Sequence, residues 1–340
     1  MCTRRYRAPG RVNLIGEHTD YAGGLVLPCA IDREIMLVAE SDDTIRLTTD
    51  LAADRVELRA DGAGAATGWG AYVAAVAREL DALGRPPVGL AGSVSSTVPA
   101  AVGLSSSAAL EVCCAVALCD VAEFPVTGMQ LAELCQRAEL RAVGVPCGVM
   151  DQAAIVLGCA GHALLLDCAT HEHEHVPFPE DVAIIVIDSG ERRELAASAY
   201  AERRREVERG LAGADDDVAR RRMRHVHSEN ERVRLAVRAL REARLDELGP
   251  LFRASHDSLR DDFEVTTPTL DRLVDLCYEL GAIAARMTGG GFGGAMIALA
   301  TVEEAADLAG RVTSSFAPER GGPVPRWGVM RPSDGAARVA

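Results

Sequence analysis

Apolar residues recur at helical spacing over 69–83, where Trp69, Tyr72, Val73, Val76, Leu80 and Leu83 share a face and Gly84 stops the run. A strand-like stretch at 88–96 and a polar loop at 98–107 follow. Segment 108–121 is apolar nearly all round, which predicts a buried helix. Thr127 and Gln130 have the spacing of a capping box and open a helix that reaches about Val143. The apolar runs 163–167 and 182–188 predict strands, and the charged stretches 192–211 and 216–244 predict helices. Thr267 as N-cap with Pro268 behind it begins a helix ending at Gly281. Segments 282–288 and 295–301 bracket a glycine cluster and read as paired strands. An Ala/Gly/Ser-rich half gives way near residue 176 to an Arg/Glu-rich one, so the expected domains are 1–176 and 177–340.

Composition narrows the function. A chain of 340 residues can bury two cores, and 48% hydrophobic with 25% charged residues is the usual globular balance. The first seven residues, MCTRRYR, are followed by no apolar stretch, and the longest apolar run is broken by Glu111 and Asp120. The cytoplasm is therefore expected, with no membrane partner. The ten cysteines form no CxxC pair and read as reduced core thiols. A net charge of -14 argues against a nucleic-acid surface. All 36 basic residues are arginine, which excludes a GxxxxGK[ST] loop and a protein-kinase lysine. Nucleotide phosphates would have to be held by backbone N–H groups, helix dipoles, arginine and metal.

Four segments carry candidate chemistry. APGRVNLIGEHTD at 8–20 brings Arg11, Glu17, His18 and Asp20 together among turn residues. Such a loop suits a polyol, whose hydroxyls seek strong acceptors, although a solvated polar loop has the same composition. VPAAVGLSSSAA at 98–109 sets Gly103, Leu104, Ser105, Ser106, Ser107 and Ala108 at the start of the apolar helix. A helix N-terminus carries about half a positive charge and can take phosphate, while a serine there can also be a plain N-cap. GVPCGVMDQ at 144–152 makes a turn presenting Asp151 as a helix cap or a catalytic group. In MTGGGFGG at 287–294 a strand is expected after the glycines instead of a helix, so a dinucleotide fold is rejected in favour of a phosphate turn or a tight hairpin.

His171, His173 and His175 alternate on an expected strand, where neighbours on one face lie about 7 Å apart, so a solvated strand is preferred to zinc. The arginine runs 203–205 and 220–222 have acidic neighbours and read as solvated helix faces.

In this order the four segments resemble those of the GHMP small-molecule kinases, and GRVNLIGEHTDYAGG with PCGVMDQ is similar to the galactokinases. WGAYV, SAYAERRREVE, RHVHSENERV and SHDSLRDDFEV extend the resemblance over nearly the whole chain. It implies an α+β, two-domain GHMP kinase fold, with helices packed on mixed sheets and the active site in the cleft between domains. It also implies ATP and Mg2+, a sugar as the other substrate, and a monomer. By the same resemblance Glu17, His18, Asp20, Gly148 and Tyr200 would bind galactose. Asp151 would face the anomeric hydroxyl with Arg11 beside it, and residues 103–108 would wrap the phosphates. Ser107 and Glu139 would hold magnesium, Trp69 would lie near the adenine, and Gly289, Gly290 and Gly291 would close the site.

From the pattern alone, Glu139 sits on the shoulder of its helix's apolar face and needs a partner, whether magnesium or an arginine. Tyr200 could be plain packing. Two departures stand out: Ala100-Ala101 replace the family's usual Leu-Gly, and Gly70-Ala71 its Ala-Asn. The implied reaction is phosphorylation of galactose at its anomeric hydroxyl. The alternatives are N-acetylgalactosamine or another hexose as acceptor, a non-catalytic sugar sensor, or a GHMP kinase for mevalonate or homoserine.

Overall fold

The structure, a computed structural model, describes residues 3–99, 102–144, 146–191, 196–317 and 324–339. Strands β1 (Arg4–Asn13), β2 (Leu25–Val26), β3 (Pro28–Asp42), β4 (Thr44–Thr49) and β5 (Val56–Arg59) precede helix α1 (Trp69–Ala82). After β6 (Gly89–Ser96) come α2 (Ser106–Val121), α3 (Gly128–Val143), α4 (Met150–Leu157), β7 (His162–Asp167) and β8 (His173–Pro177). The second half runs β9 (Val182–Asp188), α5 (Ala196–Leu211), α6 (Asp217–Arg241), α7 (Leu248–Asp261) and α8 (Pro268–Glu279). It ends with β10 (Ala284–Thr288), β11 (Ala295–Thr301), α9 (Ala305–Ser315), β12 (Arg326–Met330) and β13 (Ala337–Val339).

The architecture is mixed α+β. One sheet has the order β13-β1-β3-β6-β4-β5, with β4 parallel to β6 and its other neighbours antiparallel. A second, antiparallel sheet is ordered β10-β11-β9-β12, and a third is β2-β7-β8. The run VAIIVID of β9 is apolar without alternation because both its faces are covered. Ile184 and Val186 join the core under the six-stranded sheet, while Ala183, Ile185 and Ile187 pack with Leu270, Leu273 and Leu308 of α8 and α9. Helix α2 has no polar face because it is buried along its length. The last strand, counted with the second half in the sequence reading, crosses back to pair with β1.

Two local expectations meet different outcomes. Thr267 caps α8, accepting a bond from the Leu270 amide at 3.2 Å. Thr127 occupies the N-cap of α3, but its side chain makes no capping bond, and Gly128 behind it enters the turn at φ 58°. That left-handed entry turns the first amides away from the hydroxyl, and the expected capping box does not form. Among the described residues no helix is long and apolar enough to cross a membrane. Residues 192–195 of the helix expected over 192–211, and the Ala100-Ala101 pair, lie outside the described residues.

Candidate active site

A cleft of about 1480 Å³ is lined from the first half by the ends of β1, α2 and α4 and from the second by the glycine turn after β10. Its floor is an ion pair. Arg11, 5% exposed, donates from Nε to Asp151 Oδ1 at 2.7 Å and from Nη2 to Asp151 Oδ2 at 2.6 Å. Such a fork fixes the carboxylate plane as well as its charge. The third donor, Nη1, holds Gly103 O at 2.6 Å, so one guanidinium ties Asp151 to the loop before α2. Asp151 lies in the first turn of α4, yet its side chain caps nothing; its bonds go to Arg11 and to Ser105 Oγ at 2.5 Å.

That serine is the N-cap of α2 in a left-handed conformation, φ 57°, and no side chain caps the helix. The first-turn amides therefore stay available to an anion arriving at Gly103–Ala108. Gly10 lets this loop dock, since a Cβ there would lie 2.9 Å from Leu104 O. At the second residue of α2, Ser107 Oγ donates to Glu139 Oε1 at 3.0 Å. Gln152 Nε2 donates to Glu139 Oε2 at 2.6 Å, and among the described residues no arginine pairs with Glu139. The arginines of its own helix, Arg137 and Arg141, go to Glu79 instead. Burial, then the charge of Asp151, raises the Glu139 pKa.

The loop after β1 forms the opposite wall. His18 sits at φ 61°, 4% exposed, with Nδ1 bonded to Tyr21 Oη at 2.9 Å and its ring against Phe263 and Tyr200. Burial, aided by His225, lowers its pKa to about 3, so the ring is neutral, and its Nε2 is buried with no partner. An orphan of this kind calls for a polar ligand atom. Burial and then Asp151 raise the Asp20 pKa to about 6. Asp20 fills the space above Gly148, where a Cβ would lie 1.8 Å from Asp20 Oδ2. Glu17 is 1% exposed and already accepts four bonds: Asn13 Nδ2 (2.6 Å), Arg286 Nη1 (2.6 Å), Thr288 Oγ1 (3.1 Å) and Gly289 N (2.8 Å). A further hydroxyl could only share one of these sites.

From the second half, Gly289, Gly290 and Gly291 reach the same cleft, and the Tyr200 ring lies 3.3 Å from where a Gly290 Cβ would be. Gly291, at φ 74°, passes so close to Val265 O that a Cβ would approach to 2.3 Å. The strand expected after the glycines is β11, antiparallel to β10, which makes the segment a hairpin. Trp69 is not among the cleft-lining residues; its indole N–H bonds Asp54 O at 3.2 Å. Burial and then the nearby Glu139 and Glu111 raise the pKa of Tyr72, one turn along α1, so this face of α1 adjoins the acidic side of the site.

Sequence reasoning did not single out Gln152, Glu111 or Arg286, all fully buried. A charge inside an otherwise apolar pattern, as at Glu111 in α2 and Arg286 in β10, was the available signal. The histidines do not converge: His171 precedes β8 and pairs with Glu133 at 2.8 Å, while His175 bonds Leu157 O at 2.7 Å. The arginine runs are not wholly solvated. Arg222 is 1% exposed and pairs with Glu206 and Glu264 at 2.7 and 2.5 Å.

Comparison with known proteins matches three stretches: the galactokinase galactose-binding signature at residues 3–41, the GHMP kinases N-terminal domain at 71–159 and the GHMP kinases C-terminal domain at 236–318. The chain is 40% identical to a galactokinase of Streptomyces coelicolor, over 98% of this chain and 94% of that one. It is 36% identical to a galactokinase of Thermococcus kodakarensis, over 97% and 99%. Its fold superposes on the crystal structure of Lactococcus lactis galactokinase complexed with galactose with a TM-score of 0.92, at 32% identity, covering 99% and 95% of the two chains.

Proposed function

The chain belongs to the galactokinase family of GHMP kinases, and we propose accordingly that it transfers the γ-phosphoryl of ATP to the anomeric hydroxyl of galactose, with Asp151 as the base. The observation that carries this reading is the position of Asp151. Its carboxylate is hydrogen-bonded by Ser105 of the loop before α2 on one side, and on the other it lines the same cleft as Asp20 of the loop after β1. A base in that place lies between a nucleotide and a sugar.

On the sugar side, the free Nε2 of His18 and the Asp20 carboxylate are set for hydroxyls, with Gly148 backbone and Tyr200 as walls and Glu17 behind. On the nucleotide side, residues 103–108 would wrap the phosphates and Gly289–Gly291 would close over the transferred group, while Trp69, outside the cleft lining and bonded to Asp54 O, is left without a supported adenine role. Asp151 takes the proton of the anomeric hydroxyl on a carboxylate oxygen as the sugar oxygen attacks the γ-phosphorus and the bond from the γ-phosphorus to the bridging oxygen breaks, releasing ADP. Arg11 keeps that carboxylate in plane and brings positive charge to the loop that no lysine could supply.

The donor set fits magnesium: Ser107 and Glu139 offer a hydroxyl and a carboxylate, and Mg2+ is usually held by one or two protein oxygens plus phosphates and water. A cation beside Glu139 would offset the burial that raises its pKa. When bound, Mg2+ supplies charge neutralisation on the β- and γ-phosphates.

The direct test is ADP release with ATP, Mg2+ and a panel of sugars, with the product identified by phosphorus NMR. Galactose 1-phosphate is expected. Preference for N-acetylgalactosamine would reassign the acceptor, and no ADP release with any hexose would sink the reading.

Two further results follow from the sugar wall. With the Asp20 pKa raised to about 6, its carboxylate is charged above that pH and lost as pH falls through it. The kcat/KM for galactose should therefore fall about tenfold between pH 7 and pH 5, chiefly through KM, and Asp20→Asn should flatten that limb while lowering the plateau. A pH profile of kcat/KM for both proteins checks this. Gly148→Ala should fold but push Asp20 aside, lowering kcat/KM for galactose about 10²-fold while leaving the KM for ATP near that of the parent. An unchanged galactose KM would show that Asp20 does not touch the sugar.

A further inference from the structure

Behind the Ser107–Glu139 pair lie two polar side chains that the phosphoryl transfer itself does not use. Glu111, one turn beyond Ser107 on α2, and Gln152, next to Asp151 on α4, are both 0% exposed. Their surroundings on these helices are alanine, cysteine, valine and leucine. Gln152 Nε2 spends its two N–H groups on two carboxyl groups, Glu139 Oε2 at 2.6 Å and Glu111 Oε2 at 3.3 Å. Glu139 is thus held from both ends, by Ser107 Oγ on Oε1 and by Gln152 on Oε2, with Cys147 Sγ at 3.5 Å. The outer oxygens, Glu111 Oε1 and Gln152 Oε1, are buried without a partner.

Burying a carboxyl and an amide, each with an acceptor left open, costs more than a leucine of similar volume would. Packing alone therefore does not account for the pair. What the two groups achieve is orientational. An amide held by the Glu111 carboxyl oxygen cannot turn away from Glu139, so the Glu139 carboxylate is fixed without an arginine that would neutralise it.

Resting on the reading of Ser107 and Glu139 as the magnesium ligands, we infer that Gln152 and Glu111 are positioning residues for that site. Gln152 sets the orientation of the Glu139 carboxylate, and Glu111 braces Gln152. Neither touches sugar or nucleotide.

The experiment is a Mg2+ titration of AMP-PNP binding by calorimetry, with galactose binding and thermal unfolding measured on the same proteins. Gln152→Leu and Glu111→Leu should each weaken the Mg2+-dependent binding about tenfold, leave galactose affinity within about twofold, and keep or raise the melting temperature. Glu111→Gln, whose amide oxygen can still accept the Gln152 N–H, should stay near the parent. Gln152→Met replaces Gln152→Leu if that variant does not fold. Glu139→Ala separates the two levels of the reading. If it loses Mg2+ dependence while both leucine variants retain theirs, or if the leucine variants lose galactose affinity as strongly as Mg2+, the positioning role is overturned. If Glu139→Ala itself keeps the parent's Mg2+ dependence, the metal reading falls and this inference with it.

Discussion

Asp151→Asn is expected to fold, to bind galactose, and to lose nearly all turnover. Asparagine keeps the shape of the side chain but cannot take a proton, and general-base assistance is typically worth roughly 10²–10⁴-fold. The geometry adds a second loss. Arg11 presents Nε and Nη2 to the two carboxylate oxygens, and an amide would set its own NH2 against one of those donors. The asparagine must then break the fork or rotate, and either movement disturbs the bond from Arg11 to Gly103 O that joins Asp151 to the loop before α2. Calorimetry with galactose checks that the sugar site survives, and a coupled ADP assay reads turnover. Turnover above about a tenth of the parent's would remove Asp151 from the base role, since no general base contributes so little.

How much of this was legible in the sequence depends on where each residue's partner lies. The helices with strong period, α1, α3 and α8, and the apolar strands β9 and β11, were read from local pattern because burial on one or both faces writes itself into adjacent residues. Strand β1 was not. Its segment RRYRAPGRVN carries four arginines with Pro9 and Gly10, a composition that reads as polar turn. In the fold those two residues sit at an irregularity in the β1–β3 register, between Pro9 and Arg11, and the gap admits the loop carrying Leu104. The punctuation that hid the strand is what aims Arg11 into the cleft.

The site shows the same division. Its loops were legible because chemistry is concentrated in short stretches around Glu17, Ser106 and Asp151. The buried charges were not, because each is settled by groups far along the chain. Arg222 looked like part of a solvated run, yet it is buried by Glu206 and Glu264. The sugar role that resemblance implied for Glu17 also lacked its context: both its oxygens are already engaged by residues 13, 286, 288 and 289. Pairing across such distances leaves no period in the sequence.

The largest expected effect on stability comes from one of those hidden charges. Arg286, on β10 and 0% exposed, donates to Glu17 Oε2 at 2.6 Å, to Leu14 O at 3.0 Å and to Ser255 Oγ at 3.1 Å, with Glu229 Oε1 at 3.7 Å. It joins the second half's sheet to the loop after β1, and Glu229 in turn accepts the Gly16 amide at 2.9 Å. Arg286→Met fills most of the volume but leaves Glu17 and the Leu14 carbonyl short of a donor and takes the positive charge away from beside Glu229. Removing one member of a buried pair typically costs about 3–5 kcal/mol, because the remaining charge stays in the interior. Denaturant unfolding should show a loss of that order, together with weaker galactose binding as the loop around Glu17 and His18 loosens. Adding Glu17→Gln to Arg286→Met should recover part of the loss, since the double variant buries one stranded charge fewer. If Arg286→Met unfolds within about 1 kcal/mol of the parent, the Arg286 ion network is not what holds the loop after β1 in place.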